Sequence, residues 1–301
     1  MSLSSTDPTM RTQTPEADTS ISSAATVGYP GRDGAHSAAA CDRLFPGARL
    51  VPLPSFSAVA GAAAEGSVAF GVLPIESSLT GPVAETHDLL YDSALAIIGE
   101  TVLRIRHCLV GPAEVGLEEI RVVRSHPAAL DQCRRLLASM PWATAIAAAT
   151  TADAAAQVAD HRDLTEAAIA SERAAALHGL AVITDDIGDH PEAYTRFVSI
   201  ATHVRLDNGA NGWRTAFSFV TDHQPGALHL AIEPFGRNRI DLLQLVSRPI
   251  PHSPFRYRFD AVLAGHPLDP LVREAFAEVG ARTRRLRVFG SYPANSEPEA
   301  E

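Results

Sequence analysis

Short apolar runs alternate with alanine-rich or amphipathic segments between residues 27 and 203. Continuous apolar character is typical of buried strands, which we place at 27–29, 70–73, 122–123, 167–170, 181–183 and 198–200. Helices are predicted between them, from about residue 37, over 83–91, from 127 through 136, over 152–159 and over 174–177. This alternation predicts an α/β architecture with largely parallel sheets over residues 26–204.

The pattern changes after residue 204. Turn-forming residues over 205–213 predict a linker. Over residues 214–293, strands at 215–221, 240–246, 257–263 and 285–289 alternate with helices at 225–235 and 270–279. The order βαββαβ predicts a ferredoxin-like unit, which makes a second domain.

Composition and charge restrict the class of protein. The chain has 301 residues, 20% charged and 46% hydrophobic, which is typical of a soluble globular protein of about two domains. A formal net charge of −10 gives no general attraction for nucleic acid or acidic membranes. No apolar run approaches the roughly 18 residues of a membrane helix. Residues 1–25 and 294–301 are polar segments that we interpret as disordered tails.

The chain has three cysteines, Cys41, Cys108 and Cys133, without CxxC spacing. An odd, scattered set of cysteines is typical of small buried side chains in a reducing compartment. We therefore expect a cytoplasmic protein without a disulfide framework or a cysteine metal site.

The run Tyr194-Thr195-Arg196-Phe197 contains the most specific candidate chemistry, where a loop enters a predicted strand. The planar guanidinium of arginine can donate two parallel hydrogen bonds to a carboxylate. The neighbouring threonine hydroxyl can donate one hydrogen bond to an oxygen of the same ligand. The pair suits a small anion that also carries a hydroxyl or carbonyl, although such a pair also occurs at ordinary strand edges.

Three further segments place polar groups at the ends of predicted strands. The glycine-rich turn 31–37 precedes a helix, so its backbone N–H groups can approach an anion. Segment 74–78 closes a buried strand, at the edge where open α/β sheets bind ligands. Segment 125–127 forms another junction from strand to helix. Within these segments, Glu76 is also a candidate for a structural ion pair, and His126 for a helix cap.

In this order and spacing, the segments resemble the prephenate dehydratase family over residues 27–203. The second unit resembles the ACT domain of that family, with Gly226-Ala227-Leu228 and Ser247-Arg248-Pro249 in the expected places. The resemblance implies a catalytic domain of two α/β lobes, similar to periplasmic type II binding proteins, with the active site between the lobes. It also implies a homodimer or homotetramer in which the ACT domain binds L-phenylalanine as an effector.

The resemblance further implies conversion of prephenate, or of arogenate, with loss of carbon dioxide and water and without a metal or organic cofactor. Thr195 matches the catalytic threonine of the family, and Arg196 is the candidate carboxylate clamp, although its side chain could instead brace the cleft. The expected catalytic residues are Thr195, Arg196, Glu76 and Ser77. The expected substrate-binding residues are Gly34, Ala35, Ser37, Ser78, Ser125, His126 and Phe197. The expected effector site consists of Gly226, Ala227, Leu228, Ser247, Arg248 and Pro249.

The chain departs from the family pattern at three functional positions. Asparagine is usual where this chain has Ser77 and Ala193, and glutamate is usual at Val246. An asparagine supplies both a donor and an acceptor, so Ser77 keeps part of that ability and Ala193 keeps none. Three hypotheses therefore stay open: a prephenate dehydratase, a prephenate decarboxylase that does not aromatise its substrate, and a catalytically silent regulatory protein.

Overall fold

The computed structural model describes residues 25–203, 212–250 and 253–294. Apart from a few residues at their edges, the predicted tails and the predicted linker lie outside these ranges. The domain boundaries given above therefore stay predictions.

The first lobe is a mixed sheet with the strand order β2-β1-β3-β11-β5, and β4 pairs with β3. Strands β1, β2 and β3 are parallel, whereas β11 is antiparallel to both of its neighbours. The strands are β1 Thr26–Pro30, β2 Arg49–Leu53, β3 Phe70–Ser77, β4 Gly81–Pro82, β5 Ala96–Arg104 and β11 Tyr194–Ala201. The helices are α1 His36–Leu44, α2 Phe56–Glu65 and α3 Ala84–Asp92.

The second lobe has the strand order β10-β6-β9-β7-β8, in which β6 is antiparallel to both of its neighbours. The strands are β6 Cys108–Gly111, β7 Val122–Ser125, β8 Thr144–Ala147, β9 Glu166–Ala170 and β10 Ala181–Thr184. The helices are α4 Pro127–Gln132, α5 Arg134–Ser139, α6 Thr151–His161 and α7 Glu172–His178. The expectation of largely parallel sheets is therefore wrong. Strand β11 returns from the second lobe and runs antiparallel in the first sheet, and β6 enters from the first lobe and runs antiparallel in the second sheet.

The chain passes between the lobes twice, over residues 105–107 and 185–193. Strand β11 follows all elements of the second lobe in sequence and then joins the first sheet. The second crossing therefore ends directly at Thr195, so the lobe junction and the candidate catalytic residue are adjacent in sequence.

The predicted long helix over 127–136 is interrupted at Cys133. The Asp189 carboxylate accepts hydrogen bonds from the Arg134 and Arg135 amides at 3.0 Å each. A carboxylate at this position caps the first turn of α5, so a second helix begins there. Helix α6 begins at Thr151, one residue before the predicted start, and the Thr150 side chain caps it by accepting a hydrogen bond from the Asp153 amide.

The third sheet has the strand order β13-β14-β12-β15, with both helices on one face. Its elements are β12 Trp213–Val220, α8 Ala227–Arg237, β13 Leu242–Pro249, β14 Tyr257–Ala264, α9 Pro270–Arg282 and β15 Arg285–Pro293. Phe217, Phe235 and Phe276 form an aromatic cluster between sheet and helices, with ring centroids 5.1–5.7 Å apart. The predicted fold class, a two-lobed α/β unit with a βαββαβ domain, is confirmed.

The third sheet packs directly on the first lobe. At Gly290, with φ +152°, an added Cβ would lie 2.1 Å from the Ile97 carbonyl oxygen, so only glycine permits this approach of β15 to β5. Phe289 and Tyr292 are buried in the same core cluster as Leu73 and Ile97. In the described part of the chain, no helix combines the length and the apolar composition needed to cross a membrane.

Candidate active site

A cleft of about 390 Å³ lies between the two lobes. Both crossing segments contribute to its wall, through Ile105, His107 and Ala193. The first turns of four helices also line it, because α1, α2, α4 and α6 all begin there. The cleft is therefore built where strands end and helices begin, the position predicted for a ligand site in an open α/β sheet.

Thr195 and Ser77 are cross-strand neighbours at one end of the cleft. They pair in register on β11 and β3, and both side chains line the cleft. The Ser77 hydroxyl oxygen accepts hydrogen bonds from the Leu79 and Thr80 amides at 3.3 and 3.4 Å, which leaves its proton to donate to a ligand. Among the described residues, no protein group bonds the Thr195 hydroxyl. Two hydroxyl donors therefore face the same ligand space.

Arg196 and Glu76 lie on the opposite face of these strands, away from the cleft. The Arg196 guanidinium donates to Glu100 at 3.0 Å and to Glu76 at 3.4 Å, and all three line a second cavity behind the sheet. Successive side chains of a strand point to opposite faces, so Thr195 and Arg196 cannot both enter the cleft. The expectation that Arg196 clamps a substrate carboxylate is corrected to the bracing role, and Glu76 is placed in a structural ion pair.

Two of the predicted substrate-binding serines hold the fold together. The Ser78 hydroxyl donates to the Glu192 carbonyl at 3.1 Å and accepts from the Tyr194 amide at 2.9 Å, which fixes the segment before Thr195. The buried Ser125 hydroxyl donates to the Ile169 carbonyl at 2.6 Å, which joins β7 to β9. Neither side chain lines the cleft, so the structure gives both of them a structural role.

Gly34 forms a contact between the lobes. Its carbonyl accepts a hydrogen bond from the Ser171 hydroxyl of the second lobe at 2.8 Å. Its φ is +88°, and an added Cβ would lie 2.9 Å from Ala174 Cα in α7. The position therefore requires glycine both for its backbone conformation and for the close approach of the second lobe.

Replacement of Gly34 by alanine is expected to lower kcat/KM about 5- to 30-fold, because the added Cβ overpacks the contact with Ala174 between the lobes at a cost of about 1–2 kcal/mol. The matched control is Gly47→Ala, which has φ +79° but no atom within 4 Å of the added Cβ among the described residues. Steady-state kinetics and thermal unfolding of both variants test the expectation. A kcat/KM of Gly47→Ala reduced as much as that of Gly34→Ala would show that backbone strain alone is responsible.

The remaining predicted residues do line the cleft: Ala35, Ser37, His126 and Phe197. His126 also caps α4, because its Nδ1 accepts a hydrogen bond from the Ala128 amide at 3.2 Å. A bonded Nδ1 leaves only the outer edge of the ring for a ligand.

Helix N-termini supply the positive polarity of the cleft. Within the described lining, no Arg, Lys, Asp or Glu side chain is present. Side chains of Ser55 and Thr150 cap α2 and α6, whereas α1 has no side-chain cap among the described residues. The amides of His36 and Ser37, in the first turn of α1, are therefore available to an anion, and the helix dipole favours one there.

A pair of histidines that sequence reasoning missed also lines the cleft. The His36 and His107 rings meet edge to face at 6.1 Å between centroids, and His107 Nε2 is 3.0 Å from Gln132 Oε1. Within the described residues, His36 Nε2 and His107 Nδ1 are buried without a hydrogen-bond partner. Burial and then His107 lower the pKa of His36 to about 4, and burial also lowers the pKa of His107. Both rings are therefore neutral at pH 7.

The free energy of unfolding is expected to fall as the pH drops from about 6.5 to about 4. In that range the unfolded chain binds a proton at His36, whereas the folded chain does not, so stability is lost on acidification. The pKa difference corresponds to at most about 3 kcal/mol. Urea unfolding at pH 7 and pH 4.5 measures the loss, which is expected to be smaller in His36→Asn than in the control His223→Asn. Equal losses in the two variants would contradict the assignment to His36.

The predicted effector residues share one end of the third sheet. Gly226 is the N-cap of α8 with φ +81°, which places Ala227 and Leu228 in its first turn. Ser247, Arg248 and Pro249 end β13, and Arg248 lies in one row with Arg258 and Val220 across the sheet. Arg248 Nη2 donates to the Asp88 carboxylate on α3 at 2.7 Å, so this motif touches the first lobe directly.

The described residues contain no group of three or more His, Cys, Asp or Glu side chains arranged to hold a metal ion. All three cysteines are buried free thiols, and burial raises the pKa of the Cys41 and Cys133 thiols to about 12. The polar groups that reach the cleft are hydroxyls, imidazoles and amides. This set can bind an anion and donate hydrogen bonds to a leaving oxygen.

Comparison with known proteins gives a consistent result. A family model described as prephenate dehydratase matches residues 27–205. Arogenate dehydratase/prephenate dehydratase 2 of Arabidopsis thaliana is 33% identical over 279 residues, 90% of this chain and 73% of that protein. The crystal structure of prephenate dehydratase from Arthrobacter aurescens in complex with L-Phe matches with a TM-score of 0.82 and 28% identity, over 91% of this chain and 93% of that one. A structure described as a novel type of quorum quenching acylase, GqqA, matches with a TM-score of 0.83 and 29% identity, over 90% and 98%.

Proposed function

Because this chain belongs to the prephenate dehydratase family, we propose that it converts prephenate to phenylpyruvate, with loss of carbon dioxide and water. The observation that carries the proposal is the pairing of the Thr195 and Ser77 hydroxyls across β11 and β3, at the end of a cleft between two lobes. The reaction would serve L-phenylalanine biosynthesis.

The ring hydroxyl of prephenate is a poor leaving group, so the reaction needs a group that stabilises the departing oxygen. When the ring carboxylate leaves as carbon dioxide, its bonding electrons flow into the ring and expel the ring hydroxyl, which forms the aromatic product. A hydrogen bond from Thr195 to that oxygen stabilises the negative charge that develops on it. Ser77, one strand away, is placed to donate a second hydrogen bond, and the departing hydroxide leaves as water after it takes a proton from solvent.

The two carboxylates of the substrate need partners in a cleft whose described lining holds no cationic side chain. We assign one carboxylate to the uncapped N-terminus of α1, where Ser37 can add its hydroxyl. The other carboxylate lies nearer the N-terminus of α6, beside Thr151. Phe197 packs against the ring, and Ala35 and His126 complete the wall.

The similarity to the quorum quenching acylase raises the possibility of a different reaction, in which a hydroxyl or another nucleophile attacks an acyl carbon. Activation of a hydroxyl nucleophile needs a base within hydrogen-bond reach. In this chain His107 Nε2 is engaged by Gln132 and His126 Nδ1 by the Ala128 amide. Within the described residues no histidine is bonded to Thr195 or Ser77, which favours the dehydratase.

Ala193 and Ser77 bear on the two remaining alternatives. Ala193 lines the cleft two residues before Thr195, so the asparagine side chain usual in the family is missing from the ligand space itself. A decarboxylase without aromatisation would not need the Thr195 donor, and a silent protein would need neither hydroxyl. The Thr195 hydroxyl, which lines the cleft at the position of the family's catalytic threonine, supports dehydration.

Purified protein incubated with prephenate near neutral pH tests the proposal, with Thr195→Ala as the control. Phenylpyruvate formed only by the unmodified protein supports a dehydratase. Loss of prephenate to a non-aromatic product would indicate a decarboxylase, and binding without turnover would indicate a regulatory protein. The same assay with arogenate measures which of the two substrates the chain prefers.

We further propose that the ACT domain senses L-phenylalanine and that the chain is a homodimer or homotetramer. The Arthrobacter structure with bound L-Phe supports the effector, and the bond from Arg248 to Asp88 gives its site a route to the first lobe. Strand β13 is at the sheet edge, with Leu243 and Leu245 exposed by 44% and 38%. An edge strand with exposed apolar side chains favours pairing with a second copy.

A further inference from the structure

A second cavity, of about 220 Å³, lies between the first lobe and the third sheet. It is on the reverse face of the strands that carry Thr195 and Ser77, and its wall includes Arg196 and Glu76, the sequence neighbours of those two residues. The predicted effector residues at 226–228 and 247–249 do not line it. The catalytic cleft and the predicted effector site therefore leave this cavity unassigned.

The cavity wall contains three carboxylates and two guanidiniums, and the carboxylates are unequally paired. Glu100 accepts hydrogen bonds from Arg196 at 3.0 Å and from Arg214 at 2.6 Å, so its two oxygens are both engaged. Within the described ranges, Glu76 has only the longer contact of 3.4 Å to Arg196 Nε, and its side chain is 34% exposed. Glu76 is therefore the carboxylate most able to receive a cationic group from a ligand.

Two polar groups of the wall have no partner in the described part of the chain. His87 Nδ1 lies 3.1 Å from the Asp260 carboxylate, which is held by Arg258, so Nδ1 is the donor and Nε2 of the neutral ring is an acceptor. His87 is 4% exposed, and its Nε2 is buried without a donor. Gln244 Nε2, from β13, is buried without an acceptor. Buried polar groups without partners are rare in folded proteins, and here both belong to one cavity.

The rest of the wall is apolar and includes Leu90, Ile97, Val198, Phe217 and Phe289. A wall with a carboxylate, an imidazole acceptor, an amide donor and apolar side chains suits a small zwitterion with an apolar body. The volume is below the roughly 300 Å³ of a drug-sized pocket and fits a molecule the size of one amino acid. We propose that this cavity binds a free L-α-amino acid with an apolar side chain, its ammonium group at Glu76 and His87 Nε2 and its carboxylate at Gln244.

A ligand in this cavity would contact β3 and β11 on the face opposite the cleft. A ligand that contacts Glu76 and Arg196 changes the ion pairs next to Ser77 and Thr195, so binding in the cavity and binding in the cleft would be coupled. Only this effect on rate rests on the proposed dehydratase activity. Binding itself does not, so a direct binding measurement separates the two proposals.

Calorimetric titration of the full chain with L-leucine, L-methionine and L-phenylalanine, each alone, tests the proposal. At least one of these amino acids is expected to bind, and Gln244→Leu is expected to weaken that binding at least tenfold. Gln157→Leu, the same change on α6 of the second lobe, is the matched control and leaves the affinity unchanged. His87→Asn, which can still donate to Asp260 but lacks Nε2, is expected to weaken binding as well.

Two results would overturn the proposal. One is the absence of binding by all three amino acids, which means that the cavity holds water only. The other is binding that Arg248→Ala abolishes while Gln244→Leu and His87→Asn leave it unchanged, which assigns the ligand to the end of the third sheet. Circular dichroism of each variant before titration ensures that only folded protein is compared.

Discussion

Replacement of Thr195 by valine is expected to lower kcat for phenylpyruvate formation by about 10²–10³-fold, with little change in KM. Valine keeps the shape of the side chain and the β-branched strand preference but removes the hydroxyl that faces the cleft. Loss of one hydrogen bond to a developing oxyanion has an effect of this size. A fall in kcat without a rise in KM identifies an interaction made in the transition state.

Two controls separate this effect from a general change at the strand. Thr80→Val makes the same substitution in the exposed turn after β3, and we expect an unchanged kcat. Thr195→Ser restores a hydroxyl and is expected to recover most of the activity. Full activity in Thr195→Val would remove Thr195 from the mechanism.

The largest expected effect on stability comes from Arg258, whose side chain is fully buried. Its guanidinium donates to Asp88 at 2.7 Å and to Asp260 at 3.2 Å and lies 4.2 Å from the centroid of the Tyr91 ring. Arg258→Met leaves the Asp260 carboxylate buried without its main cation. We expect a loss of about 3–5 kcal/mol in the free energy of unfolding, measured by urea denaturation.

A second substitution tests the cause of that loss. Arg258→Met combined with Asp260→Asn removes the uncompensated charge and still provides an acceptor for His87, so it is expected to be more stable than Arg258→Met alone. Arg134→Met, at an exposed ion pair with Asp131, is the control and leaves the denaturation midpoint unchanged. A double variant no more stable than the single variant would show that packing, not charge, determines the effect.

The order of elements and the position of the cleft could be predicted from local patterns. The strand that ends at Ser77, the turn before α1 and the junction at His126 each combine an apolar run with polar residues at its end. Such patterns depend only on residues that are close in sequence, so the structure contains these strand ends and helix starts where the sequence predicts them. The antiparallel direction of β11 could not be predicted, because its pairing depends on the return of the chain from the second lobe.

The error at Arg196 has a simple physical origin. Adjacent residues of a strand face opposite sides, and this rule alone would have separated Arg196 from Thr195 and Phe197. Its actual partner, Glu100, is 96 residues away on β5, and no local signal points to that pair. The histidine pair was missed for a related reason, since His36 on α1 and His107 in the first crossing segment are far apart in sequence and meet only in the folded chain.

The stoichiometry of the products tests the central claim most directly. Pure protein is incubated with prephenate labelled with ¹³C at the ring carboxylate, and carbon dioxide and phenylpyruvate are measured in the same vessel. The account predicts equal amounts of both products from the unmodified protein and no enzymatic formation of either by Thr195→Val above about 1% of that rate. Carbon dioxide without phenylpyruvate, or phenylpyruvate formed equally well by Thr195→Val, would contradict it.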